Sequence, residues 1–194
     1  MPAHPLTRIQ VKAVLKQTTN LRDQALLTLG FQTGFRIAEL LSLTIQQVAD
    51  LHGHIKPILT VSKSHMKGKR FSRTVKLNSD TQRVLKKWIK QLRLRGRART
   101  NDALFQSRQG YKGKSLGARQ VNNIIKELFS KAGCVGNFSS HSLRKTFIDT
   151  FLEGLQSILE LVFEAIPVVD WWSHVWTTTL RVEFEVVPKG GVRC

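Results

Sequence analysis

Two arginines, about a hundred residues apart, sit in short stretches of distinctive composition. Arg36 lies in TGFRIAELLSL (residues 33–43) and Arg144 in HSLRKTF (residues 141–147). A guanidinium keeps its charge at any ordinary pH and presents a planar fork of N–H donors. Two of them can therefore clamp the non-bridging oxygens of a phosphate. Negative charge grows on those oxygens when phosphorus becomes five-coordinate, so such a clamp also favours the transition state. Arg36 follows Gly34 at the start of an expected helix, where backbone N–H groups add to the attraction for an anion. Glu39 stands three residues beyond Arg36, on the same helical face, where a carboxylate can hold the guanidinium in place. His141 precedes Arg144 by the same interval, and an imidazole can exchange a proton near neutrality. A third basic stretch, KSHMKGKRFSRTVKL (residues 63–77), carries Lys63, Lys67 and Lys69.

These groups need elements to position them. Residues 7–17 place Ile9, Val11, Val14 and Leu15 on a rough apolar face, which predicts a helix. Asn20 is a candidate cap for the next helix, LRDQALLTLGFQTG, whose leucines point to nearly every side and whose stop is Gly34. RIAELLSL and IQQVAD read as short helices. Ile55–Val61 is rich in β-formers and Ser72–Leu77 alternates with period two. A β-hairpin with a long charged tip joins them most economically. Ser79 or Asp80 is expected to start a helix bearing Val84, Leu85, Trp88, Ile89 and Leu92, ending near Gly96. RLRGRART is a basic linker. Ser115 is the expected cap of GARQVNNIIKELFSKAG, with Val121, Ile124, Ile125, Leu128 and Phe129 inward and Gly133 at the stop. A last helix begins near Ser140. The fold class is mostly α with a small antiparallel β-sheet (α+β).

The whole chain carries 31 Lys and Arg against 13 Asp and Glu, a net charge of +18. A balance of that size says nothing of the fold but favours a polyanionic partner. Cys134 and Cys194 show no metal-like spacing and imply no disulfide framework, so a reducing cytoplasm fits. The first ten residues contain no apolar core of a secretory signal. The most apolar stretch, Ile158 to Trp172, is interrupted by Glu160, Glu164 and Asp170, too often for a membrane span. The charge is unevenly spread. Residues 1–150 hold 28 basic and 7 acidic side chains, whereas residues 151–194 hold 3 basic and 6 acidic ones. Three of the four tryptophans, Trp171, Trp172 and Trp176, fall in that second segment.

The ordered set of a TGxRxxEL box, a lysine-bearing hairpin and an HxLR box resembles the tyrosine recombinases of the phage integrase family. The resemblance covers roughly residues 5–150. It implies a tyrosine-recombinase catalytic-domain fold and a DNA-binding, site-specific recombinase or integrase that breaks and rejoins strands. The implied chemistry needs no metal and no other cofactor, and no small-molecule substrate. The implied partner is double-stranded DNA, with a homo-oligomer (a tetramer in the family) that exchanges C-terminal elements between subunits. By resemblance, Arg36 and Arg144 grip the scissile phosphate and His141 moves a proton, while Glu39 supports Arg36 from behind. A hairpin lysine protonates the leaving 5′-oxygen. Lys67 matches the family's KGxK-then-Arg pattern, in which Lys67-Gly68-Lys69 leads to Arg73; Lys63 is the alternative. The expected setting is the cytoplasm of a bacterium, in association with the nucleoid, on a phage or mobile element.

Two departures qualify the activity. The sequence starts almost at the catalytic domain, so the family's N-terminal core-binding domain is expected to be absent, as in the short fimbrial-phase invertases. The family also places an LGH-type box and the nucleophilic tyrosine after HxLR. Tyr111, the one tyrosine, comes before HSLRKTF and in an expected loop. In WSHVWTTTLRV, His174 faintly echoes LGH and Val182 stands near the tyrosine position, but the interval from Arg144 is too long. The expected organisation is therefore an incomplete catalytic domain over 1–150 and an atypical acidic, Trp-rich tail over 151–194. The tail has either been replaced by frameshift or rearrangement or has diverged. The chain alone is expected not to form the covalent intermediate. The rival readings are a catalytically silent DNA-binding protein that occupies recombination sites and a generic basic RNA-associated protein.

Overall fold

A computed structural model describes residues 3–65, 71–107 and 113–165. Seven helices and one two-stranded sheet make up the described part: α1 (Arg8–Gln17), α2 (Leu21–Thr33), α3 (Ile37–Leu41), α4 (Ile45–Val48), β1 (Ile58–Val61), β2 (Arg73–Lys76), α5 (Ser79–Leu94), α6 (Ala118–Lys131) and α7 (Ser140–Ala165). Mostly helical with one small antiparallel sheet is the class that the sequence implies. The chain divides into two compact units after Glu153. Of the second unit only the continuation of α7 is described, and residues 166–194 of the expected tail lie outside the described residues.

Local chemistry explains most of the boundaries. Thr7 caps α1 by accepting from Gln10 N while the Gln10 side chain returns to Thr7 N. Asn20 caps α2 as its sequence context predicts, and α2 ends on Gly34 at φ 59°, the left-handed conformation that glycine adopts most easily. α5 starts at Ser79 as expected, capped by Asn78, whose side chain accepts from Thr81 N. α6 starts after Gly117 with no side-chain cap, because Ser115 Oγ instead donates to Leu41 O. Ile9, expected on the apolar face of α1, is exposed, since that face centres on buried Val14.

The core explains why α2 is apolar all round. Ala25, Leu26, Leu27, Leu29 and Phe31 are buried, and a helix without a polar face belongs inside. α5 lays Leu85, Trp88, Ile89 and Leu92 into the same core, with Trp88 Nε1 donating to Leu104 O at 2.9 Å. α6 contributes Val121, Ile125 and Phe129, while Ile124 and Leu128 are only partly buried. In the hairpin, Leu59 pairs with Val75 and Val61 with Arg73. The alternation buries Leu59 and Val61 and half-buries Arg73 and Val75, leaving Ile58, Thr60, Thr74 and Lys76 outward. Arg73 is thus an arginine on the inner face of a strand.

Candidate functional site

The site rests on a close crossing of α2 and α7. Gly30 and Gly34 are four residues apart on α2, and Leu143 and Phe147 are four apart on α7. A Cβ added at Gly30 would lie 2.9 Å from Leu143 Cδ1, the movable end of that side chain, and one at Gly34 would run into the Phe147 ring. At Gly34, where φ is left-handed and the ring stands in the way, only glycine admits that approach. It brings the N-terminal turn of α7 against the end of α2. Ser139 lies just ahead of α7, its Oγ accepting from His141 N at 3.3 Å while Ser142 Oγ accepts from Ser139 N at 3.1 Å. Thr146 ties the opposite side down by accepting from Leu6 N at 2.8 Å.

Arg144 leaves this helix to donate from Nη1 to Gly34 O at 3.0 Å. That carbonyl is two residues before Arg36. Arg36 is the residue ahead of α3, and Glu39 holds it twice. One carboxylate oxygen accepts from Arg36 N at 2.8 Å and the other from Arg36 Nη1 at 3.0 Å. Glu39 is 1% exposed whereas the Arg36 side chain is 39% exposed. The carboxylate is therefore an internal strut, and the guanidinium keeps a face toward solvent. His141 is exposed and shares an open cleft of about 570 Å³ with Arg144, Ser139, Asn137 and Lys145. The structure thus places Arg36, Glu39 and Arg144 around the end of α2, and His141 beside Arg144.

Sequence reading missed one member of this cluster. Arg73 donates from Nη2 to Thr33 O at 2.7 Å and from Nη1 to Gly34 O at 3.4 Å. Its guanidinium lies 5.0 Å from the Phe35 ring centre and 5.9 Å from that of Phe147. Burial pushes its pKa down, and the charges of Arg144 and Arg36 push the same way against the opposing pull of Glu39. The signal was present in SRTVKL, where Arg73 shares its face with Val75 and Leu77. Lys63 sits in a short 3₁₀ turn (Lys63–His65) after β1 and is exposed. Lys67 and Lys69 lie outside the described residues, as do Tyr111, His174 and Val182. Among the described residues, no three His, Cys, Asp or Glu side chains gather to hold a metal ion. No described helix is long and apolar enough to cross a membrane.

The model of the phage integrase family matches residues 5–157. The chain belongs to that family. It is 31% identical over 169 residues to the tyrosine recombinase XerD of Listeria monocytogenes, covering 84% of this chain and 52% of XerD. It is 33% identical over 174 residues to XerC of Bacillus subtilis, covering 86% of this chain and 54% of XerC. Among solved structures, XerA recombinase superposes with a TM-score of 0.64 at 27% identity, covering 79% of this chain and 51% of that one. XerH bound to its difH substrate shares the fold, with a TM-score of 0.60 at 22% identity over 79% of this chain and 44% of that one. The mostly helical domain with its single hairpin is accordingly a tyrosine-recombinase catalytic fold. This phage integrase family member spans about half the length of the curated relatives it matches.

Proposed function

We propose that this chain binds duplex DNA as the catalytic-domain portion of a site-specific tyrosine recombinase and holds the scissile phosphate without cleaving it. Arg36 and Arg144 clamp the non-bridging oxygens, and Glu39 keeps Arg36 aimed. His141 is the proton-exchanging group beside the attacking oxygen. A hairpin lysine, Lys67 or else Lys63, protonates the 5′-oxygen that leaves. The observation that carries this reading is the Arg144 hydrogen bond to Gly34 O, two residues from Arg36. That bond brings Arg144 to the turn that precedes Arg36 although most of the domain separates them in sequence, as a shared phosphate would require.

The reaction of such a family divides strand exchange into two transfers through a 3′-phosphotyrosine. Between Arg144 and Cys194 the sequence contains no tyrosine, and Val182 has no nucleophilic atom. On this reading these residues hold DNA without supplying the nucleophile of the covalent step.

The test compares two double variants that each remove two positive charges, Arg36→Gln/Arg144→Gln and Lys86→Gln/Lys87→Gln, the latter pair being exposed on α5. Binding to a 30-base-pair duplex and to a hairpin RNA is measured across a salt series. The wild type should prefer the duplex, and its affinity should fall by roughly 10³–10⁵ from 50 to 200 mM salt for six to ten phosphate contacts. The site pair should lose about tenfold or more beyond the α5 pair, because it removes charge-assisted hydrogen bonds as well as charge. Equal losses, or equal affinity for RNA, would favour a generic basic RNA-associated protein.

A further inference from the structure

Helix α2 points the wrong end at an anion site. Its last carbonyls carry the negative end of the helix dipole, and they lie beside the two arginines meant to attract a phosphate. Thr33 O and Gly34 O would repel the phosphate oxygens unless something covers them. Arg73 covers both, at 2.7 Å and 3.4 Å, and Arg144 shares the second at 3.0 Å. We propose that Arg73 is a positioning residue of the phosphodiester site: it caps the end of α2 and so makes the pocket between Arg36 and Arg144 receptive to an oxyanion.

Three further observations fit this role. The side chain cannot swing away freely, because Phe35 and Phe147 flank its guanidinium. The Phe147 ring is itself fixed against Gly34. A strand residue is an unusual source for a helix C-cap, and Arg73 pairs across the hairpin with buried Val61. It therefore links the hairpin, whose connection carries Lys63 and Lys67, to the turn that precedes Arg36. Finally, the charges of Arg144 and Arg36 disfavour a third cation at Arg73. A cluster of like charges held together by shared carbonyls gains from an anion that binds among them. Arginine serves better than lysine, since one planar fork can reach two carbonyl oxygens at once.

The inference rests on the phosphate-binding reading of Arg36 and Arg144, and the experiment separates the two. Affinity for inorganic phosphate at constant ionic strength is measured by titration calorimetry for the wild type, Arg36→Gln, Arg73→Met and Arg73→Lys. Circular dichroism melts report folding in parallel. Arg73→Met keeps the length of the stem and should weaken phosphate binding about tenfold. Arg73→Lys should recover part of that loss, because its ammonium can still donate to one of the two carbonyls, whereas Met donates to neither. A merely structural arginine would lower the melting temperature in both variants and leave phosphate affinity in the folded protein unchanged. That result would overturn the inference while Arg36→Gln still abolished binding. If Arg36→Gln left phosphate affinity intact, the site reading itself would fall, and this inference with it. Should Arg73→Met not fold, Arg73→Lys decides: wild-type phosphate affinity in that variant overturns the proposal.

Discussion

Helix α7 has two halves that obey different rules. From Ser140 to Phe147 its side chains answer features elsewhere in the chain. Leu143 fills the space left by Gly30, Ser142 and Thr146 are buried, and Arg144 reaches Gly34 O. From Ile148 to Leu161 the large apolar residues are exposed, among them Phe151 and Leu152 at 56% and Leu155 at 42%. The same helix therefore passes from a segment whose partners are written into the sequence to one whose large apolar side chains face outward. Charge changes over nearly the same stretch, from 28 basic and 7 acidic residues up to 150 to 3 and 6 after it. The lesson is that Arg36, Glu39, Arg73 and Arg144 belong to the packed part, where glycines, caps and a buried strut fix the geometry, while His141 and Lys63 stand exposed at its edge.

The largest expected effect breaks the packed half. Gly34 and Gly96 both have positive φ, near 60°, but a Cβ at Gly34 meets the Phe147 ring whereas one at Gly96 meets nothing within 4 Å. Gly96→Ala should cost about 1–2 kcal/mol for its left-handed conformation alone. Gly34→Ala should cost roughly 1–3 kcal/mol more for overpacking, and it should displace Arg144 as well. Chemical denaturation of the two variants measures the difference. Equal costs would mean that α7 does not depend on the glycine face of α2.

A smaller effect is expected at the internal strut. Glu39→Ala leaves Arg36 without its partner and Arg36 N without an acceptor, so a loss of about 1–3 kcal/mol follows. Duplex affinity should drop too, because Arg36 is no longer aimed. A variant with unchanged stability and binding would show that Glu39 does not organise the site. The smallest effect belongs to the second half of α7. Phe151→Gln and Leu155→Gln should each alter stability by less than about 0.5 kcal/mol, as exposed positions do. A large loss at either would erase the distinction between the two halves.

Much of this was legible from the sequence, for reasons specific to particular residues. Asn20 and Gly34 punctuate α2 because capping and left-handed termination are local chemistry. The amphipathic run of α6 placed Val121, Ile125 and Phe129 inward through its period alone. Local competition went unseen. Ser115, the expected cap of α6, spends its hydroxyl on a carbonyl 74 residues away. The site was readable as a set of boxes, yet the role of Arg73 depends on a tertiary event, the approach of β2 to the end of α2. Strand alternation marks Arg73 as inward, but nothing local says which carbonyls it meets.

The central claim is a phosphate-gripping domain with no nucleophile of its own, and one measurement addresses both parts. The protein is incubated with a pool of nicked 40-base-pair duplexes randomised across the nick. Each sample is divided between a native gel and a denaturing gel. The expected result is a retained complex in the native gel, lost in Arg36→Gln/Arg144→Gln, and no protein–DNA adduct under denaturing conditions. A denaturant-resistant adduct, mapped to any residue of this chain, would contradict the account.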